Sequence, residues 1–194
     1  MIYICDFDDS FTYNIYSVLL ENFTGLNVEI ISKDRILHFL QKNSDINTKQ
    51  LIILGPGPGH PDQYRYLFKA IIELFNNKNT FLMGICLGHQ IIWRAKGHIV
   101  DHCYTPIHGS SKQYLLPDQM AHDLFLTKRI LVQHYNSLAV KKEQDQFDDC
   151  LILEDSGELV IAYDTQLLTY QFHPESIGTT YPESFFRYAT NFLL

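Results

Sequence analysis

Residues 80–96 read TFLMGICLGHQIIWRAK, and the way this stretch divides decides the fold. TFLMGI (80–85) is a near-continuous apolar run, short enough for a strand buried on both faces. IIWRAK (91–96) is compatible with a helix. Between them GICLGHQ (84–90) places Cys86 among small residues where the strand hands over to the helix. Gly84 and Gly88 flank Cys86 at two positions on either side, the G-x-nucleophile-x-G spacing of a strand-to-helix elbow. Such a turn forces its central residue into strained backbone angles, and bulky neighbours would clash with the crossing chain. The spacing leaves two readings open: a nucleophile on an elbow, or a buried small hydrophobe with Gly88 easing helix–strand packing.

Outward from this stretch, the first half of the chain repeats the same unit. IYICDF (2–7), VEII (28–31) and LIIL (51–54) read as buried strands. TYNIYSVLLENF (12–23), DRILHFLQK (34–42) and YRYLFKAIIELFNN (64–77) carry helical periodicity. Apolar strands alternating with helices predict a doubly wound, mainly parallel α/β sheet with helices on both faces. From about residue 98 short β-like pieces take over: GHIV (97–100), KQYLL (112–116), RILVQ (129–133), CLILED (150–155), ELVIAYD (158–164) and LLTYQF (167–172). Turn-rich stretches separate them, which predicts added antiparallel or mixed strands. ESFFRYATNFLL (183–194) reads as a closing helix. With no repeat or low-complexity tract, a single domain over residues 1–194 is expected.

Composition narrows the function classes. The chain has 194 residues, 46% hydrophobic and 19% charged, as expected of a compact fold. Its net charge of −7 argues against nucleic acid as the main partner. No apolar run approaches the roughly 20 residues of a membrane helix. The start, MIYICDFDDS, lacks a basic n-region, so no signal peptide is expected. Four cysteines without a CxxC pair weaken zinc and disulfide readings, and a cytoplasmic location is expected. No pair of histidines adjoins a carboxylate at metal-ligand spacing, so no metal site is expected.

In an open α/β sheet, ligands gather beyond the carboxyl ends of the strands. Three segments fall there: GPGPGHP (55–61), GICLGHQ (84–90) and HPES (173–176). A thiolate nucleophile needs a base and an orienting acid. His173 follows a predicted strand, and Glu175, two residues on, is placed to hold its imidazole. Gly57 and Gly59 offer free N–H groups on a loop stiffened by proline, which suits an oxyanion hole shared with the N–H of Leu87. Taken singly, each segment also reads as an ordinary turn.

Taken together, DFDDSFTYNI (6–15), ILGPGPGHP (53–61), GICLGHQ (84–90), HYNSL (134–138) and QFHPESI (171–177) resemble the class I, triad-type glutamine amidotransferases. The resemblance is nearest to the glutaminase subunits of anthranilate synthase and aminodeoxychorismate synthase. It implies a class I glutamine amidotransferase-like (flavodoxin-like) fold. It implies Cys86 as nucleophile, His173 as general base and acid, and Glu175 as orienter. Gly57 and Leu87 would form the oxyanion hole; Gly57, Pro58, Gly59, Gln90 and the backbone of Ser137 and Leu138 would bind glutamine. It further implies no cofactor on this chain and, as partner, a chorismate-binding synthase subunit, with no nucleic acid and no membrane.

Three departures from the family pattern stand out. Asn136 replaces the usual histidine of YHSL, Trp93 and Lys96 replace small or apolar residues on the elbow helix, and HGSSKQYLLPDQM (108–120) matches only loosely. In DFDDSFTYN, Asp9, Ser10 or Thr12 is expected to cap the first helix with Phe11 packed beneath it. His89 is expected to shape the pocket, and His98, His102, His108 and His134 to be polar core or surface residues. The elbow alone would also serve a stand-alone cysteine hydrolase of the same fold, and a silent scaffold protein would keep the fold without turnover.

Overall fold

The computed structural model describes residues 1–106, 108–142, 147 and 150–194. Its elements, in chain order, are β1 (Ile2–Cys5), α1 (Phe11–Asn22), β2 (Val28–Ile31), α2 (Ile36–Asn43), β3 (Gln50–Leu54), α3 (Phe68–Leu74), β4 (Thr80–Ile85) and α4 (Leu87–Ala95). There follow β5 (Val100–His102), β6 (Ser110–Leu115), α5 (Asp118–Asp123), β7 (Arg129–His134), β8 (Leu138–Val140), β9 (Leu151–Asp155), β10 (Glu158–Tyr163), β11 (Leu167–Tyr170) and α6 (Ser184–Asn191).

Seven strands form the main sheet in the order β2-β1-β3-β4-β11-β10-β9. The first five are parallel, and β10 and β9 extend the sheet antiparallel. Strand alternation divides the core. Leu51 and Ile53 of β3 face a layer with Ile15 and Leu19 of α1 and Phe185 and Phe186 of α6. Ile52 and Leu54 face the opposite layer, with Leu40 of α2, Ile71 of α3 and Ile91 of α4. Both layers are buried, which explains why these strands read as unbroken apolar runs rather than alternating ones. The order reverses beside β1, and the carboxyl ends of β1, β3, β4 and β11 lie side by side.

The second half departs from expectation in detail. The predicted strand at 97–100 begins only at Val100, because Gly97 takes φ +96° to close the turn after α4. The predicted helix over 64–77 is a 3₁₀ segment, Pro61–Leu67, followed by α3; Tyr64, at φ −108° and ψ 18°, breaks it. Neither α5 nor β8 is expected from the sequence. β8 pairs with β5, and β6 with β7, as two small antiparallel sheets beside the main one. An antiparallel bridge from Gln133 to His173 ties β7 to the end of β11.

Capping of α1 falls to Asp9, one of the three expected candidates. Asp9 Oδ1 accepts from the N–H of Phe11 at 2.9 Å, whereas Ser10 makes no side-chain cap bond. Thr12 does not cap but donates through Oγ1 to Asp6 Oδ1 at 2.8 Å, and the same oxygen accepts from the N–H groups of Asp8 and Asp9. Asp6, at the end of β1, thus organises the whole turn. Trp93 is fully buried and donates to Thr169 Oγ1 at 3.0 Å, so this departure on α4 is a matter of packing.

Candidate active site

Cys86 occupies the junction of β4 and α4 with φ 51° and ψ −102°, a conformation disfavoured for any residue with a side chain. Hydrogen bonds and close packing hold it there. Its N–H donates to Tyr170 O at 2.8 Å and its carbonyl accepts from Gln90 N at 3.1 Å. A Cβ on Gly88 would lie 1.9 Å from Leu54 O, and one on Gly84 would lie 2.7 Å from Ile92 Cδ1 and 2.9 Å from the backbone of Gly88 and His89. The glycines are therefore required by close approach of β3, β4 and α4, not by chain flexibility. The elbow presents the thiol at the N-terminus of α4.

His173 and Glu175 lie just beyond β11, the strand next to β4. His173 Nδ1 donates to Glu175 Oε1 at 2.7 Å, and both residues are buried. The other carboxylate oxygen of Glu175 has no hydrogen-bond partner among the described residues, so the imidazole is its principal compensation. Burial acts to lower the His173 pKa, but charge and hydrogen bonding from Cys86 and Glu175 outweigh it and hold the pKa well above the ordinary 6.5. The thiol, imidazole and carboxylate are thus one coupled set. The bridge from His173 N to Gln133 O, 2.9 Å, and Thr179 Oγ1 on His173 O, 2.8 Å, fix the loop backbone.

A cavity of about 170 Å³ opens in front of the thiol. Gly57, Pro58 and Gly59 line one side, Tyr135, Asn136, Ser137 and Leu138 the other, with Cys86, Leu87 and Gln90 between. Every residue expected to bind glutamine therefore meets in one cavity. The N–H groups of Gly57 and Leu87 have no acceptor among the described residues, which leaves them available to a developing oxyanion. Gly57 has no room for a side chain: a Cβ would lie 2.5 Å from Phe7 Cβ.

The structure brings further residues to the site that the sequence alone does not reveal. Phe11 does not pack beneath α1; its ring lies 4.8 Å from that of His173, and the Tyr135 ring stands edge-on at 5.1 Å. The N-terminal motif thus reaches the imidazole. Gln171 donates to Cys86 Sγ at 3.9 Å, a long sulfur contact, and accepts from Gln90 at 3.2 Å. Period-two alternation past β11 puts Gln171 on the side of His173, a signal present in QFHPES. His89 does not line the cavity; burial pushes it down to about 3 and keeps it neutral in the core. Among the described residues, no cluster of His, Cys, Asp and Glu is arranged to hold a metal ion. No described helix is long and apolar enough to cross a membrane.

The raised His173 pKa has a direct consequence. Its stabilising contribution is full below the unfolded value near 6.5 and is lost as pH rises through the folded value. Glu175→Gln removes one of the two groups that hold the imidazolium. The alkaline limb of the pH–rate profile should move to lower pH, and kcat/KM should fall by about 10²- to 10⁴-fold. An unmoved limb would show that Glu175 does not act through His173.

Comparison with known proteins agrees with this arrangement. The family described as glutamine amidotransferase class-I matches residues 3–191. The anthranilate synthase component 2, pyocyanine specific, of Pseudomonas aeruginosa is 34% identical over 185 residues, covering 93% of this chain and 88% of its own. The anthranilate synthase component 2 of Cyanidium caldarium is 34% identical over 188 residues, covering 92% of each chain. A crystal structure from Thermoplasma acidophilum, described as a GMP synthase subunit, superposes with TM-score 0.77 at 21% identity over 99% of this chain and 92% of its own, which supports the fold.

Proposed function

This chain belongs to the class I glutamine amidotransferase family, and on that footing we propose that it hydrolyses the side-chain amide of L-glutamine through Cys86, His173 and Glu175 and passes the ammonia to a separate chorismate-aminating synthase subunit. The carrying observation is a strained thiol coupled to a charge-stabilised imidazole, at a cavity lined by Gly57 and Leu87, whose N–H groups have no acceptor among the described residues.

The steps follow from that geometry. Cys86 Sγ attacks the amide carbon of glutamine, and the oxyanion forms against the N–H groups of Gly57 and Leu87. Collapse breaks the C–N bond as the His173 imidazolium gives its proton to the leaving nitrogen, which departs as ammonia. The imidazole then takes a proton from water, whose oxygen attacks the γ-glutamyl thioester. Cys86 leaves as thiolate, glutamate departs, and His173 is again imidazolium. Glu175 keeps Nδ1 of His173 protonated throughout, so that the other nitrogen does the work.

The synthase partner is supported by the component 2 relatives, each of which is named as one component of a synthase. Beside the site, Ile177, one residue after the buried Ser176, is fully exposed, as is most of Tyr181. Large apolar side chains so exposed beside a catalytic loop favour a protein partner. Ile177→Asp should cut glutamine-dependent product formation by the assembled synthase at least tenfold. Ammonia-dependent synthesis, and reaction of Cys86 with a glutamine-shaped alkylator, should persist. Loss of neither activity would place the partner elsewhere; failure of any chorismate-aminating synthase to bind the wild-type chain would refute the partner assignment.

A further inference from the structure

Asn136, where HYNSL departs from the family pattern, and His134 belong to a hydrogen-bonded chain whose direction can be fixed atom by atom. The carbonyl of Leu138 can only accept. It takes Gln90 Nε2 at 2.9 Å and Asn136 Nδ2 at 3.1 Å. That fixes the Asn136 amide, whose Nδ2 also meets Cys103 Sγ at 3.1 Å. Asn136 Oδ1 therefore faces His134 Nδ1 at 3.0 Å and must accept from it. The His134 proton is then on Nδ1, and Nε2 accepts from the Tyr114 hydroxyl at 3.0 Å. Burial keeps the ring neutral, with its pKa pushed down to about 4, as this arrangement requires.

The far end of the chain is the glutamine cavity. Cys103 N donates to Ser137 O at 2.9 Å, so the pairing of β5 with β8 turns the N–H and C=O of Leu138 away from β5. Two side-chain donors then hold the Leu138 carbonyl, and one of them, Asn136, is oriented through His134 and Tyr114. Asn136, Ser137, Leu138 and Gln90 all line the cavity beside Cys86. Asn136 also lines, with Tyr114, His134 and Gln171, a second cavity of about 440 Å³. Asn136 therefore borders both cavities, and its hydrogen bonds set its position.

We infer that Tyr114, His134 and Asn136 form a positioning relay that holds the Ser137–Leu138 backbone for the amino-acid end of glutamine and so sets affinity for glutamine rather than reactivity of the thiol. This inference rests on the glutamine reading of the cavity. None of the three is a catalytic residue. They act through the backbone at 137–138, some distance along the chain from the triad.

The test compares two reagents on the full-length chain: a glutamine-shaped diazoketone, which needs the amino-acid subsite, and iodoacetamide, which does not. His134→Leu breaks the relay at its centre, and His134→Gln can restore both hydrogen bonds. For His134→Leu, the diazoketone concentration giving half-maximal inactivation should rise about tenfold or more, the worth of one buried hydrogen bond lost. The limiting inactivation rate and the iodoacetamide rate at Cys86 should stay within about twofold, and His134→Gln should recover most of the affinity. Tyr114→Phe removes a single hydroxyl and provides the same readout, at about threefold, should His134→Leu not fold. Unchanged half-saturation in a folded variant, or equal loss with both reagents, overturns the relay alone. A wild-type chain that reacts with iodoacetamide but not with the diazoketone overturns the glutamine reading and the relay with it.

Discussion

Cys86→Ser is expected to lower glutamine-dependent turnover by about four orders of magnitude or more, while the synthase partner continues to make product from free ammonia. The substitution is nearly isosteric and keeps the elbow, with its φ of 51°, intact. It replaces a thiol that the imidazole can ionise with a hydroxyl that it cannot. The charge that now helps raise the His173 pKa is removed at the same time. Neither Cys5 nor Cys103 can take over. Cys5 is fully buried, and burial pushes its thiol far upward. Cys103 is pushed up to about 11, first by burial and then by Glu158, and its sulfur is engaged with Asn136. Steady-state rates with glutamine and with ammonium salt as alternative nitrogen donors check the prediction. Equal loss with both donors would mean that Cys86 serves the assembly, not the chemistry.

The second large effect is on folding. Gly88→Ala should destabilise the chain by about 3 kcal/mol or more, well above an ordinary surface substitution. The added carbon would lie 1.9 Å from Leu54 O, 2.5 Å from Leu54 C and 2.8 Å from Leu54 Cβ. Those atoms belong to β3, in the middle of the parallel sheet, and cannot swing away as a flexible side chain would. Relief requires α4 to lift from the sheet, which would also carry Leu87 and the elbow out of place. For a chain of this size, thermal unfolding should drop by about 6–12 °C. Gly25→Ala provides the contrast. It has open space around it and only a φ of +88° to oppose a side chain, so its cost should be about 1 kcal/mol. A Gly88→Ala chain that melts within a degree or two of wild type would contradict the packing argument.

Legibility in the sequence follows physical cause. β3 and β4 are readable almost to the residue, because strands buried on both faces must be unbroken apolar runs. The elbow, HPES and GPGPGHP are readable because each needs special backbone chemistry at fixed spacing. β8 and α5 are not: three and six residues carry too little periodicity to stand out, and α5 reads as polar, DQMAHD. The break at Tyr64 escapes a periodicity argument because an apolar face runs through both the 3₁₀ segment and α3. Phe11 and Tyr135 come to His173 from distant parts of the chain, and only the fold could bring them together. HYNSL suggests backbone contacts at the glutamine pocket but not the side-chain link that Asn136 makes between His134 and Leu138.

Whether Cys86 carries the glutamyl group during turnover can be read directly. The chain, assembled with its synthase partner, is acid-quenched during steady-state reaction with glutamine, and any acyl adduct is mapped by peptide mass spectrometry. A γ-glutamyl thioester is expected on the peptide bearing Cys86, absent in Cys86→Ser and strongly diminished when His173, which serves acylation as well as deacylation, is replaced. An adduct on Cys5, Cys103 or Cys150, or glutamate release with no thioester at any quench time in wild type, would contradict that assignment.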